Sequence, residues 1–227
     1  MGIRGILGLA LGYGLFLRPR LLRWGATREE VTGPFPGADL IPGSQRVSTM
    51  AVTLNAPPSR VWPWLVQMGY DRAGWYSWDR LDRGGEPSAR ELHPEWQQIA
   101  RGDRLLSEPK GPHWFEVAAV EPERFLGLRA AMDLKGRQFD SSGPRPRHFT
   151  DSLWAFQLTE LPGHRTRLVV SAYSVSRPKL FGWLTGLLFW EPAHWIMQTR
   201  QFRNLKARVE QPLWVQKGEL HAVSSAE

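Results

Sequence analysis

The chain contains no cysteine. That excludes disulfides, thiolate nucleophiles and Cys-based zinc sites, and leaves the redox compartment open. No two histidines stand at ligand spacing on a helix-like or strand-like stretch, so no metal and no cofactor is expected. A Gly-rich phosphate loop after a strand is missing, as is Gly-x-Ser-x-Gly, so a nucleophile elbow has no support. Nor is there an unbroken apolar run of about 20 residues, the length that crosses a bilayer comfortably.

What is present fits a globular chain. Its 227 residues are 42% hydrophobic and 22% charged, enough for one well-cored domain with a terminal extension. Twelve Trp is a high count for this length. These large amphipathic rings suit a big-walled core, a ligand pocket or a membrane interface. The net charge of +7 comes mostly from Arg. A nucleic-acid footprint would gather these charges on one face, but here they are scattered and often sit beside acids, as in Arg28-Glu29-Glu30 and Asp79-Arg80. No nucleic-acid partner is expected.

The N-terminal run Gly5 to Leu17 is apolar, preceded by Arg4 and followed by Arg18, Arg20 and Arg23. It has signal-peptide proportions but no small-x-small cleavage site before the basic cluster. Its glycines are better tolerated in lipid than in a soluble helix. Residues 1–23 are therefore expected to form an apolar helix anchoring the chain to a membrane, the alternative being a helix packed on the domain. The arginines that follow favour a cytoplasmic body by the positive-inside rule. Residues 24–210 form the domain, and 211–227 a flexible tail.

Along the domain, Thr27-Arg28-Glu29-Glu30 reads as a capping box, and the Pro/Gly-rich stretch Gly33 to Gly43 as an irregular linker. Val47 to Leu54 alternates like a strand. Asn55-Ala56-Pro57-Pro58 then starts a helix, with Asn55 as the expected cap, and the helix ends near Gly69. Short helical pieces are expected around Ser77 to Leu81 and at Pro94 to Gln98. Five strands follow: Asp103 to Ser107, Trp114 to Val120, Phe125 to Met132, Leu153 to Leu161 and Thr166 to Val175, the last two joined by Pro162-Gly163-His164. The stretch Asp133 to Thr150 is long enough to be a lid or a mobile loop. Leu180 to Val209 is expected to be helical, broken or kinked at Pro192. Strand, helix, antiparallel strands, long helix is an α+β order.

Val52-Thr53-Leu54-Asn55-Ala56-Pro57-Pro58-Ser59-Arg60-Val61-Trp62-Pro63-Trp64-Leu65 resembles the opening of SRPBCC (START-like, polyketide cyclase/dehydrase-related) proteins. Trp24-Gly25-Ala26-Thr27, Gly74-Trp75-Tyr76-Ser77-Trp78-Asp79, Pro94-Glu95-Trp96-Gln97, Gly102-Asp103 and Glu191-Pro192-Ala193-His194 resemble a bacterial, uncharacterised branch of that superfamily. The resemblance implies a helix-grip fold, a curved antiparallel sheet around a long C-terminal helix with a cavity between them. It says little of function, since one fold hosts many chemistries.

Such a cavity would be lined by aromatics with a few polar groups. The candidate ligand-binding residues are Trp75, Tyr76, Trp78, Asp79 and Trp96 from the loops, Trp154, Phe156 and Tyr173 from the strands, and His194 and Met197 from the helix. Trp154, Phe156 and Leu158 share one strand face, lining a cavity or filling a core; the direction of Tyr173 is open. Asp79 and His194 are the titratable candidates, Asp79 having also a structural reading. Leu180 to Trp190, flanked by Arg177 and Lys179, has the make-up of an interfacial helix, the alternative being a helix packed on the sheet. The expected function is binding or transfer of a small hydrophobic ligand, lipid or polyketide-like, at a membrane. The alternatives are a cyclase/dehydratase-type enzyme acting on a hydrophobic carbonyl substrate, or a tethered structural domain with a vestigial cavity.

Overall fold

The computed structural model describes residues 12–108 and 111–211. Its centre is one six-stranded antiparallel sheet, curved, in the order β1-β6-β5-β4-β3-β2. The strands are β1 (Gln45–Leu54), β2 (Arg104–Leu106), β3 (Trp114–Glu121), β4 (Phe125–Asp133), β5 (Phe149–Leu161) and β6 (Arg165–Arg177). All six overlap the stretches expected to be strands, but β5 begins at Phe149, four residues before Leu153 and within the stretch expected to be a loop. The β5–β6 hairpin closes between Leu161 and Arg165, with Gly163 and His164 both at positive φ, as a short hairpin loop demands.

Residues alternate between two faces, and each face has its own cover. On the inner face, Leu126, Leu128, Phe156 and Leu168 meet Phe202 and Leu205 of the C-terminal helix, together with Val61, Trp64 and Leu65 of α3 (Pro58–Val66). Leu126, Leu128, Phe156, Leu168, Val170 and Leu205 are 0% exposed, so no water-sized space touches them. This half of the interior is solid. On the outer face, Leu153, Val169 and Tyr173 are covered by Phe35 and Ile41. The expected linker is thus irregular, but its apolar side chains build a second core.

The C-terminal rod runs unbroken for 31 residues: α5 (Lys179–Thr185), a π-helical turn Gly186–Trp190, and α6 (Glu191–Val209). The break expected at Pro192 does not occur. Proline lacks an N–H and its ring crowds the carbonyl four residues back; the wider π turn just before it absorbs that conflict.

One local expectation is overturned and two others are bounded by what the structure describes. Asn55 does not cap α3; Pro57 holds that position, and the Asn55 N–H donates to Glu210 Oε1 at 2.8 Å. The segment between β4 and β5 is tied to the sheet by hydrogen bonds. Gln138 exchanges two hydrogen bonds with the Trp114 backbone, and Arg145 reaches Asp151, which is 0% exposed and also held by Arg129. Most of the expected N-terminal apolar helix, residues 1–11, lies outside the described residues, as does the tail from residue 212. What is described of it is a π-helical turn, Tyr13–Leu17, and the short α1 (Arg18–Leu22). Among the described residues no helix is long and apolar enough to cross a membrane, so a spanning anchor is not shown.

The capping box at Thr27 is present, its side chain accepting from the Glu30 N–H and its own N–H donating to Glu30 Oε2, at the start of α2 (Arg28–Thr32). Just before it, the chain closes the free edge of β1: the Ala51 N–H donates to the Trp24 carbonyl at 3.0 Å. Gly25 makes this approach possible. Its φ is +69°, and a Cβ there would stand 2.2 Å from the Ala51 carbonyl oxygen. Gly25→Ala is expected to cost about 2 kcal/mol, measured as a lower urea midpoint; an unchanged midpoint would mean the edge is not closed by this contact.

Candidate functional site

His194, Gln198, Gln201 and Leu205 recur at helical spacing, so they form one stripe along α6. Two polar residues in the middle of an apolar stripe need partners, and both have them. Trp154 on β5 donates its indole N–H to Gln198 Oε1 at 2.9 Å; Gln198 Nε2 donates to Gln201 Oε1 at 2.8 Å; Gln201 Nε2 donates to the Trp75 carbonyl at 2.9 Å. Gln198 and Gln201 are each 1% exposed. Around this chain the rings of Trp75, Phe115 and Trp154 meet pairwise at 5.3–5.8 Å. The result is a polar clamp with an aromatic wall, joining rod, sheet and loop.

Beyond the clamp, toward the start of the rod, the inner face changes character. The register pairs Ala172 with both Trp154 and Ser48, and Ser152 with both Ser174 and Ala130. Small side chains therefore replace the large ones of the solid half. The rod touches the sheet again at Gly182, where a Cβ would be 2.3 Å from the Ser176 Cβ. From Gly182 to Gln198 is about 24 Å of helix. From Thr150, the partner of Ser176, to Trp154 is about 13 Å of strand. The rod therefore does not run parallel to the strands between these two contacts. Ser152, Ala172, Ser174, Trp154 and Phe115 are only half-buried.

His194 Nε2 and Trp195 Nε1 on the rod and Ser48 Oγ on β1 are shielded from solvent without a hydrogen-bond partner, as is Trp64 Nε1 in the solid half. Orphaned buried groups are uncommon and call for an explanation. Loss of hydration pushes the His194 imidazole down to about 4, so at neutral pH it is uncharged, with one N–H and one lone pair to offer. Asp82, at the end of α4 (Asp79–Asp82), is also buried with both oxygens unpartnered. Burial, aided by the Asp79 charge, raises it to about 6.

The candidates named from sequence divide. Trp75, Trp154 and His194 belong to the open end and its wall. Phe156 lies in the solid floor behind it. Met197 is half-buried on the rod, and its carbonyl accepts from Ser77 Oγ at 3.2 Å. Tyr76 is completely buried away from the cleft, its ring edge-on to Trp64, its hydroxyl accepting from Gln67, and its pKa raised by burial. Trp78 is exposed beneath the Arg200 guanidinium, and Asp79 accepts from the Ser88 N–H and hydroxyl, a loop-fixing role. Trp96 stacks on His93 at 4.3 Å, next to a separate surface hollow of 520 Å³ lined by Trp62, Gln97, Ile99, Asp103 and Val120. Tyr173 points to the outer face, because alternation places it opposite Ala172, and its hydroxyl accepts from Arg46 Nε at 2.7 Å. A second hollow, 360 Å³, lies on that outer face between α2 and Gln157. Neither hollow carries an orphaned polar atom among the described residues.

Gln198, Gln201, Trp195, Phe115 and Ser48 were not picked out from sequence. Gln198 and Gln201 had a legible signal, since both share the helical stripe of Leu205. Ser48 had none, because its importance comes from strand register.

No protein-family model matches the chain. No curated protein matches it either. Among solved structures it is similar to protein CV1439 from Chromobacterium violaceum, at 15% identity over 76% of this chain and 100% of that one, with a TM-score of 0.41. It is also similar to CalU16 from Micromonospora echinospora, at 16% identity over 74% and 99% of the two chains, TM-score 0.32. DynU16, from the dynemicin biosynthetic locus, matches at 18% identity over 70% of this chain and 46% of its own, TM-score 0.40. The sheet and rod described above define an α+β, helix-grip-like architecture on their own geometry.

The depressed His194 pKa makes a signed prediction. The folded state refuses a proton that the unfolded imidazole accepts near its ordinary 6.5, so stability from this site is complete above that value and is lost as pH falls toward about 4. Asp82 acts oppositely, losing stability as pH rises from its ordinary 3.8 to about 6. His194→Gln should therefore be less destabilised than the parent by acidification from pH 6.5 to 4 in urea titrations. Parallel curves for the two proteins would show that His194 is not held neutral.

Proposed function

We propose that the chain binds a small, neutral, mostly apolar molecule in the open end of the grip. The observation that carries this reading is the set of shielded, unpartnered polar atoms at His194, Trp195 and Ser48, bordering half-buried aromatic and small residues. His194 Nε2, Trp195 Nε1 and Ser48 Oγ touch no water-sized space in this structure, so a ligand carbonyl or hydroxyl reaches them only when neighbouring side chains shift, its hydrocarbon part lying against Trp154 and Phe115. Lipid-like and polyketide-like compounds both fit that description. The solid half behind Phe156 limits the ligand to the open end.

A cyclase- or dehydratase-type activity is the second reading, favoured by one observation. The His194 imidazole is uncharged with an unpartnered Nε2, although its depressed basicity makes it a weak general base at neutral pH. Asp79 does not supply a partner for it, being engaged with Ser88.

Native mass spectrometry of the protein isolated from its own cells tests the binding reading. The parent should carry a reproducible small-molecule adduct, and Ala172→Trp, which fills the gap, should lose it while staying folded. If neither protein carries an adduct, or both carry the same one, the reading is wrong. His194→Gln separates binder from enzyme: a binder loses about fivefold in affinity, equivalent to one hydrogen bond of about 1 kcal/mol, whereas an enzyme loses turnover by orders of magnitude.

A further inference from the structure

The rod's first half meets the sheet around Gly182 but buries none of its side chains there. From Lys179 to Trp190 no residue is buried, and Leu188, Phe189 and Trp190 are all exposed. Leu15, Phe16 and Leu17, at the other π-helical turn, are exposed as well. The two turns are neighbours, because the residues that directly follow them are clasped together. Arg18 holds the buried Glu191 carboxylate through two hydrogen bonds, at 2.6 and 2.7 Å. The Arg18–Glu191 clasp brings the ends of the two exposed apolar turns together, and exposed apolar side chains gathered this way are uncommon on a monomer in water.

The charges around the patch carry one sign. No acidic residue occurs from Gly12 to Arg28, nor from Arg177 to Trp190. Arg20, Arg23, Arg177 and Lys179 are exposed there, and the nearest carboxylate, Glu191, is already neutralised by Arg18. Aromatic and aliphatic side chains ringed by uncompensated Arg and Lys match an anionic lipid surface, with rings at headgroup depth and cations on phosphate. A second copy of the chain would bring the same positive rim against itself.

We infer that the Tyr13–Leu17 and Gly186–Trp190 turns together form a membrane-docking surface that lies in the lipid interface without spanning it. Gly182 sits against Ser176 at the edge of the open end, so docking here brings the mouth of the cleft close to the bilayer. The inference stands apart from the ligand reading: a vesicle assay reads one and adduct mass the other.

The full-length chain, mixed with phosphatidylcholine vesicles with and without phosphatidylserine and then pelleted, tests it. The parent should pellet with both, more strongly with phosphatidylserine, and release from the latter as salt is raised. Leu188→Ser/Phe189→Ser/Trp190→Ser and, separately, Leu15→Ser/Phe16→Ser/Leu17→Ser should each lower the partition by about tenfold or more with an unchanged thermal midpoint, since these side chains face solvent. Arg20→Gln/Arg23→Gln should weaken only the phosphatidylserine increment, by about fivefold per charge. The inference is overturned if the parent stays in the supernatant, or if both triple variants pellet like the parent, which would assign binding to residues 1–11. Vesicle-independent dimers that the triple variants dissolve would overturn it in favour of a second copy.

Discussion

The height of the C-terminal rod above the sheet is set at one place, where the Trp154 indole, the amides of Gln198 and Gln201, and the Trp75 carbonyl join in a buried chain of hydrogen bonds. Each link alone is worth about 1 kcal/mol net, but leaving any member unpaired in that setting costs about 1–3 kcal/mol. The chain thus fixes position more than it adds stability. On one side of it, leucine, phenylalanine and valine close the gap completely. On the other, serine and alanine leave it open. Clamp, solid half and open end are one arrangement, and the functional reading depends on it.

The same clamp explains the rod's length. A helix needed only to cover the inner face could end where the large residues end. This one extends toward its N-terminus through the exposed π turn Gly186–Trp190 to Lys179. Pro192 stands at the junction: before it the rod is exposed and apolar, after it the stripe of His194, Gln198, Gln201 and Leu205 faces inward. The Arg18–Glu191 pair sits at that junction too, tying the N-terminal segment to the point where the rod leaves the sheet.

Much of the fold was legible because its signals are local. Alternation located all six strands except for the start of β5, Thr27 and Glu30 announced their box, and Pro162-Gly163-His164 announced the hairpin. The site was less legible because it depends on register and depth. Tyr173 and Ala172 are neighbours in sequence but lie on opposite faces, and nothing in the alternation alone says which face meets the rod. Tyr76, Trp78 and Asp79 follow Trp75 directly, yet the positive φ of Tyr76 turns the chain, so that one ring enters the core and the next lies outside. The linker containing Phe35 and Ile41 looked irregular, and it is, but its two apolar side chains decide which sheet face is already covered. His194 was recognised as a polar group on the rod; its lack of a partner appears only once the space around it is seen.

The most direct test of the central claim is side-chain NMR during titration with a neutral bicyclic alcohol such as 2-naphthol. An open end beyond the clamp predicts saturable shifts at the Trp195 and Trp154 indole N–H and at the His194 ring, with Trp96, Trp62 and Tyr173 silent. Shifts confined to Trp62 and Trp96, or none at saturation of the probe's solubility, would contradict it.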